Sequence, residues 1–173
     1  MRLFVAVPVP EDIKMRLGIL NEAIKQDGIV PVGPENMHIT MRFIGESDKA
    51  EEIEKKLKSV SFGKFDCELL GLGVFPSADY IRVVWTGIES GDRLETLANA
   101  IAETLKGYGK DEKFSAHLTI ARVKRKVDLK DFLKKHEKEG FGKFTVERFA
   151  LMKSELGPQG PKYTILASFE AKG

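Results

Sequence analysis

Two short stretches carry the side chains best suited to proton chemistry: His38-Ile39-Thr40-Met41 and His117-Leu118-Thr119-Ile120, each reading His, apolar, Thr, apolar. In an extended strand alternate side chains share a face. His38 and Thr40 therefore point one way and Ile39 and Met41 the other, and the second copy repeats the arrangement. Imidazole titrates around pH ~6.5, so two of them near neutrality can divide the work of a base and an acid without a metal. The neighbouring hydroxyls can donate to anionic oxygen. A single His-x-Thr is more often a half-buried strand whose polar face is merely solvated. Two copies at matching places in an internal repeat point instead to a site. The third histidine, His136, sits in Lys-Lys-His-Glu-Lys near an expected helix end, where it reads as a solvated side chain favoured by the helix dipole and not as a catalytic one.

The elements that must position these residues follow from periodicity. Arg2 to Val7 is a β-rich run, and after Pro8 and Pro10 the residues Ile13, Leu17, Leu20 and Ile24 recur at helical spacing, with Glu11 and Asp12 in the first turn. Residues 28–36 read as a loop that delivers the chain to a strand from His38 to about Ile44. Asp48 with Glu51 suggests a cap for a helix carrying Ala50, Ile53, Leu57 and Val60. A strand over 65–75, a second over 80–86 and a helix marked by Leu94, Leu97, Ala98, Ile101 and Leu105 come next. The strand from His117 runs to about Val123, and Asp128 is placed to cap a helix with Leu129, Phe132 and Leu133. Two strands near 144–153 and 163–169 close the chain, joined by a turn or flap over 155–162.

His117 lies 79 residues after His38, and the same step carries Arg2 to Ile81, Glu11 to Ser90 and Phe65 to Phe144. A shared order of strand, helix, His-x-Thr strand, helix, strand implies duplication, and two similar lobes usually pack about a pseudo-twofold axis. The expected fold is a single α+β domain over 1–173 with pseudo-repeat halves of about 1–78 and 79–173. Each lobe would be an antiparallel sheet with helices on its outer side, and the two sheet faces would line a central cleft holding both motifs.

The composition bounds the rest. The chain has 173 residues, enough to bury a core without staples. Its single cysteine, Cys67, has no internal partner for a disulfide, and no Cys/His cluster has zinc-finger spacing. A net charge of +2 is too balanced for a nucleic-acid-coating surface, so any anion must be gripped locally. The apolar N-terminal stretch breaks at Pro8, too short for a membrane span or a signal peptide, and the protein reads as cytoplasmic.

The sequence resembles the 2H phosphoesterases, named for paired His-x-Thr/Ser motifs, and in particular the RNA 2′,3′-cyclic phosphodiesterases once called 2′-5′ RNA ligases. The resemblance covers nearly the whole chain. Besides the two motifs it rests on Arg2-Leu3-Phe4-Val5-Ala6, on Arg42-Phe43-Ile44-Gly45-Glu46 after the first motif, on Ala121-Arg122 after the second, and on Gly160-Pro161-Lys162-Tyr163 with Leu166 and Phe169. It implies opening of an RNA 2′,3′-cyclic phosphate to a 2′-phosphate, with 2′-5′ ligation as the reverse reaction. It also implies His38 and His117 as the catalytic pair, no cofactor and no metal, and a monomer acting on RNA ends such as tRNA fragments, away from membranes. In the family's usual picture His117 activates water and His38 protonates the leaving oxygen.

A pentavalent phosphorus carries extra negative charge on its nonbridging oxygens, which Thr40 and Thr119 can bond and a guanidinium can balance. The resemblance assigns that guanidinium to Arg122. Strict alternation from His117 puts position 122 on the wrong face, so the strand must bulge, twist or end near Ala121. Arg42, four residues after His38, has the better parity and is expected to be a secondary RNA contact. A nucleobase would need an aromatic surface from Phe43, Phe75, Tyr80 or Tyr163, for each of which core packing is the competing reading. Lys124, Arg125 and Lys126 read either as a steering patch or as a solvated turn. Other substrates of the superfamily chemistry, ADP-ribose cyclic phosphate or RNA ends to be trimmed, stay open, as does a noncatalytic RNA-end binder. A metal held by His38 and His117 lacks evident carboxylate or thiolate partners.

Overall fold

The computed structural model describes residues 1–172. The elements run β1 (Arg2–Pro8), α1 (Glu11–Ile24), β2 (Ile29–Pro31), a 3-10 turn (Pro34–Asn36), β3 (His38–Glu46), α2 (Ala50–Leu57), β4 (Phe65–Ser77), β5 (Tyr80–Glu89), α3 (Arg93–Thr104), β6 (His117–Val123), α4 (Lys130–Lys135), β7 (Gly140–Val146), β8 (Arg148–Gly157) and β9 (Gly160–Glu170). They form two antiparallel sheets, ordered β3-β1-β8-β9 and β2-β6-β5-β4-β7. This is the α+β architecture expected, with both His-x-Thr strands beginning at their histidine.

The sheets do not follow the sequence halves. The 78/79 boundary falls in the tight turn of the β4–β5 hairpin, where Ser77 pairs with Tyr80. Thus β4 belongs with the second half's sheet, while β8 and β9 cross to the first. Helices tie the halves further: α1, which leads from β1 of the first sheet to the edge strand β2 of the second, packs against β6 and β7 of the second, and α3 packs against β3. The α1–β7 approach is close enough that a Cβ on Gly142 would stand 2.9 Å from Ile13 Cγ1. One continuous core results, built from Ile13, Leu17, Leu20 and Ile24 of α1, Leu94, Leu97, Ala98 and Ile101 of α3, and the inward strand residues Leu3, Val5, Ile39, Leu118 and Ile120.

Several local expectations differ. The β-rich run read as one strand over 144–153 is two, divided at Glu147, because the chain leaves one sheet there and enters the other. Residues 29–31, read as loop, form the short edge strand β2 beside Ala121–Val123. The 155–162 segment is a hairpin with only Pro158 and Gln159 outside its strands; Gly160, at φ 106°, supplies the turn backbone that a side chain would disfavour. At α2 it is the Ser47 hydroxyl, not Asp48, that accepts the Lys49 N–H (3.1 Å), whereas Asp128 does accept the Lys130 N–H at α4 (3.0 Å). His136 does lie at the C-terminal end of α4, but it is buried and not solvated: its ring packs on Phe132 with centroids 4.6 Å apart, and Nδ1 lies 3.3 Å from Glu139 Oε1.

Candidate active site

The two His-x-Thr strands are built alike down to an irregularity. In β3 Thr40 pairs with Ala6 and Arg42 with Val5, so Met41 is an extra residue; in β6 Thr119 pairs with Trp85 and Ala121 with Val84, leaving Ile120 extra. A bulge puts two successive side chains on one side and shifts the alternation of the residues beyond it. Both strands accordingly show the same burial: His and Thr half-buried, Ile39 and Met41 or Leu118 and Ile120 buried, the next residue buried too, and the one after exposed. The exposed position is Phe43 in one strand and Arg122 in the other.

The bulge meets the condition that Arg122 set and overturns the parity reading of Arg42. Arg122 turns to the face of His117 and Thr119, as the resemblance requires. Arg42 turns inward. Its side chain is 5% exposed, and its guanidinium donates to the carbonyls of Tyr108 (Nη2, 2.7 Å; Nε, 3.1 Å) and Leu105 (3.4 Å) and to Asp111 Oδ1 (3.0 Å). It clamps the turn after α3 from a buried position, away from the face of His38 and Thr40 where an RNA contact is expected.

His38 begins β3 opposite Pro8. Its ring lies against Phe4 (centroids 4.9 Å apart) and edge-on to Tyr163 (5.0 Å). Tyr163 reaches it because the start of β9 comes round to the 3-10 turn, where Asn36 Nδ2 donates to the Pro161 carbonyl at 3.1 Å. Burial lowers the His38 pKa to about 4, opposed by a hydrogen bond to the Asn36 backbone and reinforced by the charges of Lys14 and Arg122. Arg122 comes from the other sheet, and the two His-x-Thr strands, β3 and β6, pack against each other.

His117 begins β6 opposite Gly87. Its Nδ1 is 2.8 Å from the Ser115 carbonyl, which can only accept, so Nδ1 carries the proton and Nε2 is the bare nitrogen of the neutral ring. Phe75 meets the ring edge-on at 5.3 Å, and Trp85, 6.1 Å away, packs on Phe75 at a tilt of 37°. Each histidine is thus braced by aromatics, and His117 is steered as well by the backbone two residues upstream. Thr40 and Thr119 stand beside their histidines by alternation.

Of the aromatic candidates, Phe43 and Tyr80 are exposed, Phe75 partly so, and Tyr163 is half-buried against His38. Tyr80 is occupied by Arg82, whose Nη1 donates to its hydroxyl (2.7 Å). In the basic run Arg125 pairs with Asp27 (2.6 Å), both side chains largely exposed. Buried Cys67 has its thiol pushed up to about 12 by desolvation and by Glu95 and Asp66, so it offers no thiolate nucleophile at neutral pH. Among the described residues no three His, Cys, Asp or Glu side chains gather as metal ligands, and no helix is long and apolar enough to cross a membrane. Sequence reasoning missed Trp85, whose place opposite Thr119 appears only with the strand register.

Residues 11–158 match the family model described as the 2′-5′ RNA ligase superfamily. A protein of Archaeoglobus fulgidus named RNA 2′,3′-cyclic phosphodiesterase is 43% identical, the alignment covering 98% of this chain and 100% of that one. One of the same name from Methanocaldococcus jannaschii is 38% identical over 96% and 98%. Among solved structures, TT0787 of Thermus thermophilus superposes with a TM-score of 0.86 at 29% identity, covering 100% of this chain and 99% of its own. Escherichia coli LigT complexed with 3′-AMP, at 21% identity, shares the fold with a TM-score of 0.83 over 99% and 98%. The paired motifs and the match over most of the chain agree: this protein belongs to the 2′-5′ RNA ligase superfamily of 2H phosphoesterases.

Proposed function

We propose that the protein hydrolyses RNA 2′,3′-cyclic phosphate ends to 2′-phosphates, using His38 and His117 as the acid–base pair. The observation that carries this reading is the packing against each other of two strands that carry the same bulge, each opening with its histidine, with Arg122 on the exposed position past the second bulge. His117 Nε2 takes a proton from water as its oxygen bonds to phosphorus; the bond from phosphorus to the 3′ oxygen breaks, and His38 gives that oxygen a proton. Thr40 and Thr119 hold the nonbridging oxygens, and Arg122 balances the added charge. In the free protein His38 is neutral at pH 7, so an anionic phosphate beside it has to favour the protonated ring before it can act as acid. With a 5′ sugar hydroxyl of a second RNA in place of water, the same attack on phosphorus with loss of the 3′ oxygen joins the two by a 2′-5′ linkage, and the reverse of that step cleaves it.

The relatives named RNA 2′,3′-cyclic phosphodiesterase support the substrate class, and we extend it to RNA fragments, tRNA pieces among them, met by a monomer in the cytoplasm. The test is product analysis on a short RNA ending in a 2′,3′-cyclic phosphate, with ADP-ribose cyclic phosphate as competitor substrate. Only 2′-phosphate ends, formed from RNA in preference, are expected. Only 3′-phosphate ends, or turnover confined to the ADP-ribose compound, would overturn the proposal.

A further inference from the structure

Past their matching bulges the two sheets carry different residues. The exposed position is Arg122 in β6 and Phe43 in β3. Strand register extends the row of Phe43 across the whole first sheet: Phe43 pairs with Phe4, Phe4 with Met152, and Met152 with Ile165. Paired side chains share a face. It is the face of Thr40, because Thr40 pairs with Ala6, two residues along β1 from Phe4. An extra residue in β9, Leu166, lets Ile165 keep this face while Ala167, opposite Leu151, packs toward the core. Phe4 is buried and Met152 half-buried, but both ends of the row are open, Phe43 at 59% exposure and Ile165 at 57%.

The Ile165 end adjoins the site. Tyr163, two positions before it on the same side of β9, lies edge-on to His38 and to Phe4, with ring centroids 5.0 and 5.1 Å apart. Tyr163 pairs with Ser154 and Ser154 with Arg2, so the neighbouring row of this face ends in an exposed arginine. An apolar strip that runs out from the His38 ring with a cation beside it suits a single strand of RNA, whose bases pack on aromatic and aliphatic surface and whose phosphates meet the charge. Its continuity with His38 through Tyr163 favours the substrate itself as the occupant over a protein partner. We propose that Ile165, with Met152 and Tyr163, is a platform for the base of the nucleotide next to the cyclic end, and that Arg2 faces the phosphate joining the two. The inference rests on the phosphodiesterase reading for the identity of the ligand and deepens it: the substrate is an RNA chain and not a mononucleotide. The platform holds the same base before and during the reaction, so it lowers KM and leaves kcat alone.

The test compares kcat/KM on adenosine 2′,3′-cyclic phosphate with that on the adenosine dinucleotide bearing the same cyclic end. The unaltered protein should favour the dinucleotide about tenfold or more, the scale of one stacked base. Ile165→Asp should bring the two substrates within about twofold of each other by raising KM on the dinucleotide, with mononucleotide turnover and the thermal midpoint held. Ile165→Phe should keep the preference, and Arg2→Gln should weaken the salt dependence of the dinucleotide KM alone. Ile19→Asp, on the exposed side of α1, is the control and should change neither substrate. Equal use of both substrates by the unaltered protein, a preference that survives Ile165→Asp, or an equal loss on both would each overturn the platform. So would a dimer in solution that Ile165→Asp dissociates, since the strip would then be a contact between copies. If no cyclic phosphate is turned over at all, the phosphodiesterase reading falls, and calorimetric titration with the dinucleotide ending in a 2′-phosphate decides the platform by itself: binding weakened by Ile165→Asp sustains it, and binding that is absent or unchanged ends it.

Discussion

Burial between Phe4 and Tyr163, with two cations nearby, makes the neutral ring the resting form of His38. In the unfolded chain the same imidazole titrates near ~6.5, against about 4 in the fold, so between those values the unfolded state binds more protons. Stability on this account is fully present above the unfolded value and is lost as the pH falls toward the folded one. The thermal midpoint should therefore drop more steeply between pH 6.5 and 4 in the unaltered protein than in His38→Asn; parallel curves would show that the ring is not depressed. The two arginines separate in the same way, one by stability and one by rate. Arg42→Ala strips two backbone carbonyls and Asp111 of a buried donor and should cost about 2–4 kcal/mol in unfolding free energy, with turnover per folded molecule kept. Arg122→Ala should leave the denaturation midpoint in place while the rate falls by about 10²–10³. Swapped outcomes would return the phosphate role to Arg42.

At the scale of elements, the strand that bulges after its threonine decides which side chains reach the cleft. The His-x-Thr alternation and the helix stripes are legible in the sequence because both are periodicities that burial enforces. The bulges are not, since Met41 and Ile120 are ordinary apolar residues and an extra residue shows only in the pairing with β1 and β5. Arg42 reads as cleft-facing for that reason, although the need for a bulge at Arg122 is visible. His136 reads as solvated because its sequence neighbours are charged, while its ring in fact folds back onto Phe132. The break at Glu147 leaves no mark because apolar residues run up to it and on from it, Phe144 and Val146 before and Phe149 to Met152 after. Strand packing beside the second motif makes a further outcome measurable. Gly73 leaves room for the Trp85 ring, and an added Cβ would collide with its six-membered part, so Gly73→Ala must push the indole toward Phe75 and His117. A stability loss of about 1–3 kcal/mol with reduced kcat is expected; normal kcat would mean that the aromatic brace does not position His117.

Across the whole molecule, exchange of β4 and of the β8–β9 hairpin between the halves means that neither sheet is completed by its own half, and the helices cross-brace them. The two His-x-Thr strands are thereby held from both sides, as the proposed acid–base pair requires. If the two motifs form one apparatus, removing either histidine should remove nearly all of its effect, typically about 10²–10⁴ in rate, and removing both should be little worse than removing one. Single-turnover hydrolysis by His38→Ala, His117→Ala and the double variant measures this directly. Thermal midpoints belong beside the rates, because His38 is packed between two aromatic rings and its alanine variant should lose more stability than that of His117, whose ring leans on Phe75 and Trp85 from a more open position. His136→Ala supplies the control: it empties a buried site beside Phe132 and should lower the midpoint, yet each folded molecule should turn over as before. Losses that multiply in the double variant would describe two independent sites, and near-normal turnover in His117→Ala would reduce both histidines to structural parts of a noncatalytic RNA-end binder.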